Sequence, residues 1–240
     1  RERTRMSWIP TTHEPKSSPL ARLGWVVPLY VVGAIAARPW VDRWGSTAGE
    51  RCRSLPGDEL VPDAEEQTHA ITINARPEVV WPWLVQMGQG RGGFYSHDRL
   101  ERIVGADIRN ANEIHREWQH LGVGDLVRTY RSVPRFEPLG WIVGAVEPPH
   151  VLVVHEPKRR DLINSSWAFV LERQGERTRL VSRWRFRRRG ALHTAFKRLI
   201  FDPAHFIMET GVLHGLKTRA ESQPEAPTAG LARVRRASTR

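Results

Sequence analysis

RTRLVSRWRFRRR, residues 177–189, and DPAHFIMETGVLHGLKTRAES, residues 202–222, decide the fold between them. Alternation in the first stretch puts Leu180, Ser182, Trp184 and Phe186 on one face and Arg179, Arg183, Arg185 and Arg187 on the other, the pattern of a strand with one dry side. The apolar set is expected to face a cavity and the arginines to face water. The second stretch opens with Asp202 as a cap and Pro203 at the first helical position, where a missing N–H costs nothing. Phe206, Leu213 and Leu216 line one stripe of that helix, with Met208 and Val212 beside it. A strand that needs a cover, followed by a long helix that needs a floor, implies that the two pack on each other.

Working back from this pair, DLVRTY, FEPLGWIVGAVEP, HVLVVHEP and NSSWAFVLERQ read as further strands, broken at Pro148-Pro149, Pro157 and Gln174-Gly175-Glu176. QTHAITINARP reads as an earlier strand running into the helix PEVVWPWLVQMG, which carries Val80, Trp83, Leu84 and Met87 on one face. Gly88 to Gly93 form a glycine-rich turn, and SHDRLERIVG is a second short helix with Ser96 as N-cap and Gly105 as its stop. The order is strand, two helices, a run of antiparallel strands and one long helix. That is an α+β chain with a curved antiparallel sheet wrapped around its C-terminal helix, and a cavity between the two is a natural consequence.

The folded domain is placed at 67–222. Ahead of it lie a flexible leader at 1–18, a hydrophobic helix at 19–44 and a Gly-, Pro- and acid-rich linker at 45–66; after it, 223–240 form a disordered basic tail. Leu23 to Ala37 hold no charge, with Arg22 before and Arg38 after. At about 1.5 Å per residue this run falls short of a hydrocarbon core about 30 Å thick. Counting outward from Pro19, with Arg22 snorkelling and Trp25, Tyr30, Trp40 and Trp44 at interfacial positions, brings it close to a span. A membrane anchor is therefore expected, with the folded domain on the cytoplasmic side; an apolar helix packed on the domain is the alternative. The sequence begins at Arg1 rather than methionine, which weakens any targeting argument.

The 240 residues are 40% hydrophobic and 26% charged, which excludes a wholly disordered chain and a multi-span membrane protein. Lysine and arginine number 37 against 26 acids, a net charge of +11. The lysines are Lys16, Lys158, Lys197 and Lys217 alone, and the arginines spread along the chain instead of forming one arm. No nucleic-acid reader motif accompanies them, so nucleic acid is not an expected partner. Cys52 is the single cysteine, which excludes an intramolecular disulfide and is compatible with a reducing cytosol.

AITINARPEVVWPWLVQMGQGRGGFYSHDRLERIVGADIRNANEI, the later W-Q-x-L-x-V-G-D, GWIVGAVEPP, SWAFVLE and TRLVSRWR together resemble the SRPBCC superfamily, the START-like or helix-grip proteins. The resemblance is closest to bacterial members described as polyketide cyclase/dehydrase or lipid-transport domains. It covers roughly Gln67 to Glu221, and GQGRGGFYS-x-D-x-L-E is its most specific part. It implies the helix-grip fold and a cavity for an apolar ligand, and it implies no reaction.

The chemistry-bearing residues are sparse. GQGRGG lacks the Lys-Ser/Thr of a P-loop and sits in the wrong context for a dinucleotide fingerprint, so it reads as a tight connection bringing Phe94 and Tyr95 to the cavity mouth. His205 and Glu209 share a helix face, but two ligands make no metal site, and no metal or other cofactor is expected. Ser96, Ser165, Ser166 and Ser182 lack a G-x-S-x-G setting. A cyclase-type reaction would need an acid/base pair in the pocket, with Asp98, Glu101, His155 and His205 as possible members. The ten tryptophans favour an apolar or ring-containing ligand. The expected pocket comprises Trp83, Met87, Trp141, Trp167, Trp184, Phe206, Met208 and Val212, with Tyr95, Asn110 and Arg128 as orienting groups. The function expected is carriage or sensing of a small hydrophobic molecule or lipid. Alternatives are an aromatase/cyclase-like enzyme using the same cavity and a membrane-tethered interaction module; oligomeric state is not legible.

Overall fold

The computed structural model describes residues 19–96, 110–129, 140–159 and 161–223. The leader, most of the tail and nearly all of the expected helix SHDRLERIVG lie outside them. Six strands form one antiparallel sheet: β1 (Ala64–Ile73), β2 (Leu126–Arg128), β3 (Gly140–Glu147), β4 (Val151–His155), β5 (Ser165–Gln174) and β6 (Arg177–Arg187). Their order is β1-β6-β5-β4-β3-β2, so the first strand pairs with the last. A register shift between Val143 and Ala145 adds bend to β3. The helices are α1 (Pro19–Val41), α2 (Ala48–Cys52), α3 (Pro77–Val85), α4 (Ala191–Phe196) and α5 (Asp202–Ser222), with a π-helical turn at Lys197–Phe201 joining the last two. The helix-grip arrangement expected from the sequence is present: α5 lies across the inner face of the sheet, beside α3.

Burial explains the packing. Ile73, Leu171, Leu180, Trp184 and Phe186 from the strands meet Val80, Trp83 and Leu84 of α3 and Val212, Leu213, Leu216 and Ala220 of α5 in one apolar core. The alternation in β6 places Leu180, Ser182, Trp184 and Phe186 inside, as its pattern requires. Its other face corrects the expectation. Arg183 is buried, not solvated: its guanidinium donates to Thr68 Oγ1, to the carbonyls of Glu50, Arg51 and Arg53, and to Asp58 Oδ2 at 2.8 Å. Arg179 likewise binds Glu50, and Arg185 binds Glu66 and the Val61 carbonyl. Apart from Thr68 of β1, these partners come from residues 45–66. That stretch, expected as a linker, instead crosses the outer face as α2 and a turn at Asp58–Leu60, and Leu55 packs there with Ala70, Val170 and Val181. Its composition is that of a linker because its hold is polar, made of carbonyl oxygens and acids aimed at β6 arginines.

Among the described residues no helix is long and apolar enough to cross a membrane. The C-terminal half of α1 docks on the domain: Arg38 pairs with the buried Asp202 at 3.0 Å, Trp40 meets Phe206 edge-on at 5.2 Å, and Tyr30 donates to the Leu199 carbonyl.

One glycine sets how closely the loop leaving α3 can approach α5. A Cβ on Gly215 would stand 2.1 Å from the Tyr95 carbonyl oxygen and 2.5 Å from its Cβ. On an open helix Gly to Ala gains about 1 kcal/mol. Here Gly215→Ala should instead cost about 1–3 kcal/mol through the clash, read as a lower midpoint in urea denaturation.

Candidate functional site

Two features occupy the space between sheet and helices. The first is an apolar pocket formed among the described residues by Leu84, Val85 and Met87 at the end of α3, Phe94, Leu121, and Val127, Trp141, Leu152, Val154, Trp167 and Phe169 from the sheet. Its internal free volume is about 10 Å³, room for about one water molecule. Trp141 and Trp167 stand with ring centroids 6.0 Å apart, and Phe169 lies 4.6 Å from Trp167. No lining side chain is titratable.

The second feature is a buried polar cluster behind Trp167. Its indole N–H donates to Ser182 Oγ at 2.8 Å, and Ser182 donates to Glu209 Oε1 at 2.5 Å. The other carboxylate oxygen lies 2.9 Å from His69 Nδ1 and 3.5 Å from His205 Nδ1. His69 Nε2 meets the Val41 carbonyl at 2.6 Å. Burial works against a charged His69, yet the Glu209 charge and contact outweigh it and hold its pKa above the ordinary value. Burial would likewise raise Glu209, but the histidines and Ser182 hold it down at about 2. Burial pushes His205 down to about 4, so it is neutral, with its ring stacked on Trp184 at 3.9 Å.

Of the sequence-derived pocket residues, Met87, Trp141 and Trp167 line the pocket. The others lie elsewhere. Trp83 is buried in the core against Tyr95, whose hydroxyl donates to the Trp83 carbonyl at 3.0 Å; burial pushes that phenol up to about 12. Asn110 accepts from the Tyr95 backbone N–H at 2.6 Å, so this pair ties down a loop instead of facing a ligand. Arg128 is exposed on β2. Trp184 donates to Ser165 Oγ at 2.6 Å. Phe206 faces outward onto Trp40, Trp44 and His69, Met208 lies beside Ser96, and Val212 sits in the core. The helical stripe was legible, but α5 turns its middle toward β1 and β6, and the pocket lies nearer the β2 edge.

Among the possible acid/base residues, His205 joins the polar cluster and His155 bonds the Glu156 carbonyl at 2.7 Å; Asp98 and Glu101 lie outside the described residues. The glycine-rich turn spends its N–H groups internally: Gly88 on the Gly93 carbonyl, Gln89 on Arg128, Arg91 and Gly93 on Gly88, and Gly92 on Gln86. A phosphate would have to displace these bonds. No three His, Cys, Asp or Glu side chains among the described residues are arranged to hold a metal ion. Sequence reasoning missed His69 and Ser182 as members of the cluster. The signal was present, a histidine two positions before Ile71 on the strand face that also carries Ile73.

The first and last strands pair, and the terminal helix covers the sheet they complete. The fold is of the helix-grip type. No family model matches the chain, and no curated protein matches it in sequence. Solved structures similar to it include the Aha1 dimer from Colwellia psychrerythraea, 14% identical with a TM-score of 0.42 over 66% of this chain and 97% of that one. The Zhui aromatase/cyclase from Streptomyces sp. R1128 is 16% identical, TM-score 0.39, over 66% and 94%. The Polyketide_cyc-like protein Cgl2372 from Corynebacterium glutamicum is 16% identical, TM-score 0.33, over 67% and 88%. Superpositions this loose carry neither ligand nor reaction to this chain, and the fold assignment rests on its own strand order.

The cluster makes stability depend on pH in a defined sense. Between the ordinary histidine value of 6.5 and about 4, the unfolded chain takes up a proton that folded His205 refuses, so stability falls as pH drops through that range. Glu209 adds to the loss only at the acid end, because its contribution is held above 4.5 and is lost as pH falls from there toward 2. His69 acts oppositely: its contribution is full below 6.5 and is lost as pH rises through its raised folded value. His205→Phe, which keeps the ring stack, should flatten the slope of urea-unfolding free energy between pH 6.5 and 4. Glu209→Gln removes the charge that keeps His69 protonated, so burial should leave that ring neutral, and the variant should lose the part of the stability that fades as pH rises above 6.5, at a cost of about 1–3 kcal/mol at neutral pH.

Proposed function

We propose that this protein binds a small, neutral, apolar molecule in the pocket between the β2 side of the sheet and the end of α3, as a carrier or sensor. The observation that carries this reading is the lining itself: a concave site built from aliphatic and aromatic side chains, with the Glu209 carboxylate and its histidines set behind Trp167 and not in the lining. Such a lining offers desolvation and dispersion and no general acid or base. An aromatase/cyclase chemistry needs titratable groups in contact with substrate, and the described lining supplies none.

The free volume sets the ligand class. A site with room for about one water admits a ring-sized molecule only if a side chain gives way. Trp141 is the one to move, because it is half-buried at the sheet's short edge while Trp167 is held by its bond to Ser182. Burial of about 200 Å² of ligand surface would contribute about 5 kcal/mol, a submillimolar affinity before ordering costs and about a millimolar one after them. A two-chain lipid would need many times this space, so the reading favours a compact ring compound.

Trp141→Ala removes the moving side chain and leaves its space to the ligand. Titration with the neutral fluorophore N-phenyl-1-naphthylamine should show saturable binding to the parent chain and about tenfold tighter binding to the variant, the worth of about 1.4 kcal/mol of displacement no longer needed. Phe169→Arg places a charge in the pocket and should abolish binding, provided circular dichroism shows it folded. Absence of saturable binding in both the parent and Trp141→Ala would rule the reading out.

A further inference from the structure

The outer surface of α1 and the α4 region carries a second set of apolar side chains that the pocket does not use. The docked stripe of α1 is Val31, Ala34, Arg38 and Val41. The opposite side stands in water: Trp25 is 81% exposed, Leu29 74%, Val32 63% and Ile35 62%. A helix apolar on all sides is ordinarily covered on all sides. Beside it, the segment 191–201 presents Leu192 at 87% exposure, Phe196 at 62% and Ile200 at 55%, spaced i, i+4, i+8 along one stripe.

The two surfaces are neighbours. Contacts between α1 and the C-terminal helical region rise together along both chains, Tyr30 with Leu199, Arg38 with Asp202, Trp40 with Phe206 and Trp44 with His214. The middle of α1, at Tyr30, therefore lies against the π-helical turn that continues α4. The rim of this platform is basic. Arg188 and Arg189 are exposed directly before α4, and Arg198 is 45% exposed; the nearby Glu65 is shared among Arg38, Arg188 and Arg198, so one acid faces several guanidinium groups.

We propose that α1 and α4 together form a membrane-docking platform that lies in the plane of an anionic bilayer surface. Leu29, Val32, Leu192, Phe196 and Ile200 enter the boundary between headgroups and acyl chains, and Arg188, Arg189 and Arg198 meet lipid phosphates and carboxylates. The charge pattern selects this occupant over a second copy of the chain. A two-fold contact would bring one arginine rim against another, whereas anionic headgroups neutralise it. Trp25 and Tyr30 suit the same depth, with an apolar ring body and a polar edge. In-plane docking also accommodates the ion pair from Arg38 to Asp202, which a helix leaving the domain to cross a membrane would strain. The proposal is independent of what the pocket binds.

The test is partition of the full chain onto vesicles of phosphatidylcholine alone and of phosphatidylcholine with phosphatidylserine, read by sedimentation. Binding is expected on the anionic vesicles, falling with added salt, and released by an alkaline carbonate wash. Arg188→Ala with Arg189→Ala should weaken it about thirtyfold, the equivalent of about 1 kcal/mol per arginine. Leu192→Glu with Phe196→Glu, both at exposed positions, should abolish it while leaving the urea midpoint unchanged. Three results would overturn the proposal: no binding to anionic vesicles, equal binding to both vesicle types, or binding that survives carbonate. Concentration-dependent dimerisation abolished by Leu192→Glu, without vesicle binding, would assign the platform to a second copy instead.

Discussion

A carboxylate with no water around it has to be met from the protein, and Glu209 is met from three directions. Ser182 on β6 donates to one oxygen, and His69 on β1 and His205 one turn back on α5 face the other. His69 in turn reaches the Val41 carbonyl at the end of α1. One buried charge thus specifies how α5 sits on the pair of strands that joins the two ends of the sheet, and where α1 docks. An apolar contact at the same place would tolerate sliding; a buried ion pair penalises every register but one, and pays for that with desolvation. The Trp167 bond to Ser182 extends the constraint into the pocket wall, so the pocket and the clamp share a side chain.

A second polar constraint acts on the other side of the sheet. The carbonyls of α2 and the Asp58 carboxylate satisfy Arg183, which would be an impossible residue at a buried strand position without them. The sheet is therefore covered on both faces, by an apolar helix within and by a polar strap without. This arrangement leaves the small apolar pocket between sheet and helices as the site of the proposed ligand. The aromatic side chains that nearly fill it would make binding there selective by size.

The fold was legible because it depends on periodicity. Leu180, Ser182, Trp184 and Phe186 alternate, Leu213 and Leu216 follow a helical stripe, and the order of elements leaves few ways to cover the sheet. The covering of Arg183 was not legible, since alternation shows that a residue faces away from the core but not that another segment will arrive there. The pocket was legible only in Met87, Trp141 and Trp167. Helical stripe residues such as Val212 were assigned to the cavity because sequence shows which side of α5 is apolar, without showing how far along the sheet that side reaches. The ion pair of His69 with Glu209 joins residues 140 positions apart, and no local pattern reports such a meeting.

Native mass spectrometry of the full chain, before and after extraction with organic solvent, tests the central claim most directly. The account predicts a mass excess corresponding to one small neutral compound per chain, lost on extraction and restored when a compact ring compound is added back. A bare mass before extraction that no apolar compound shifts, in a chain still folded, would contradict it.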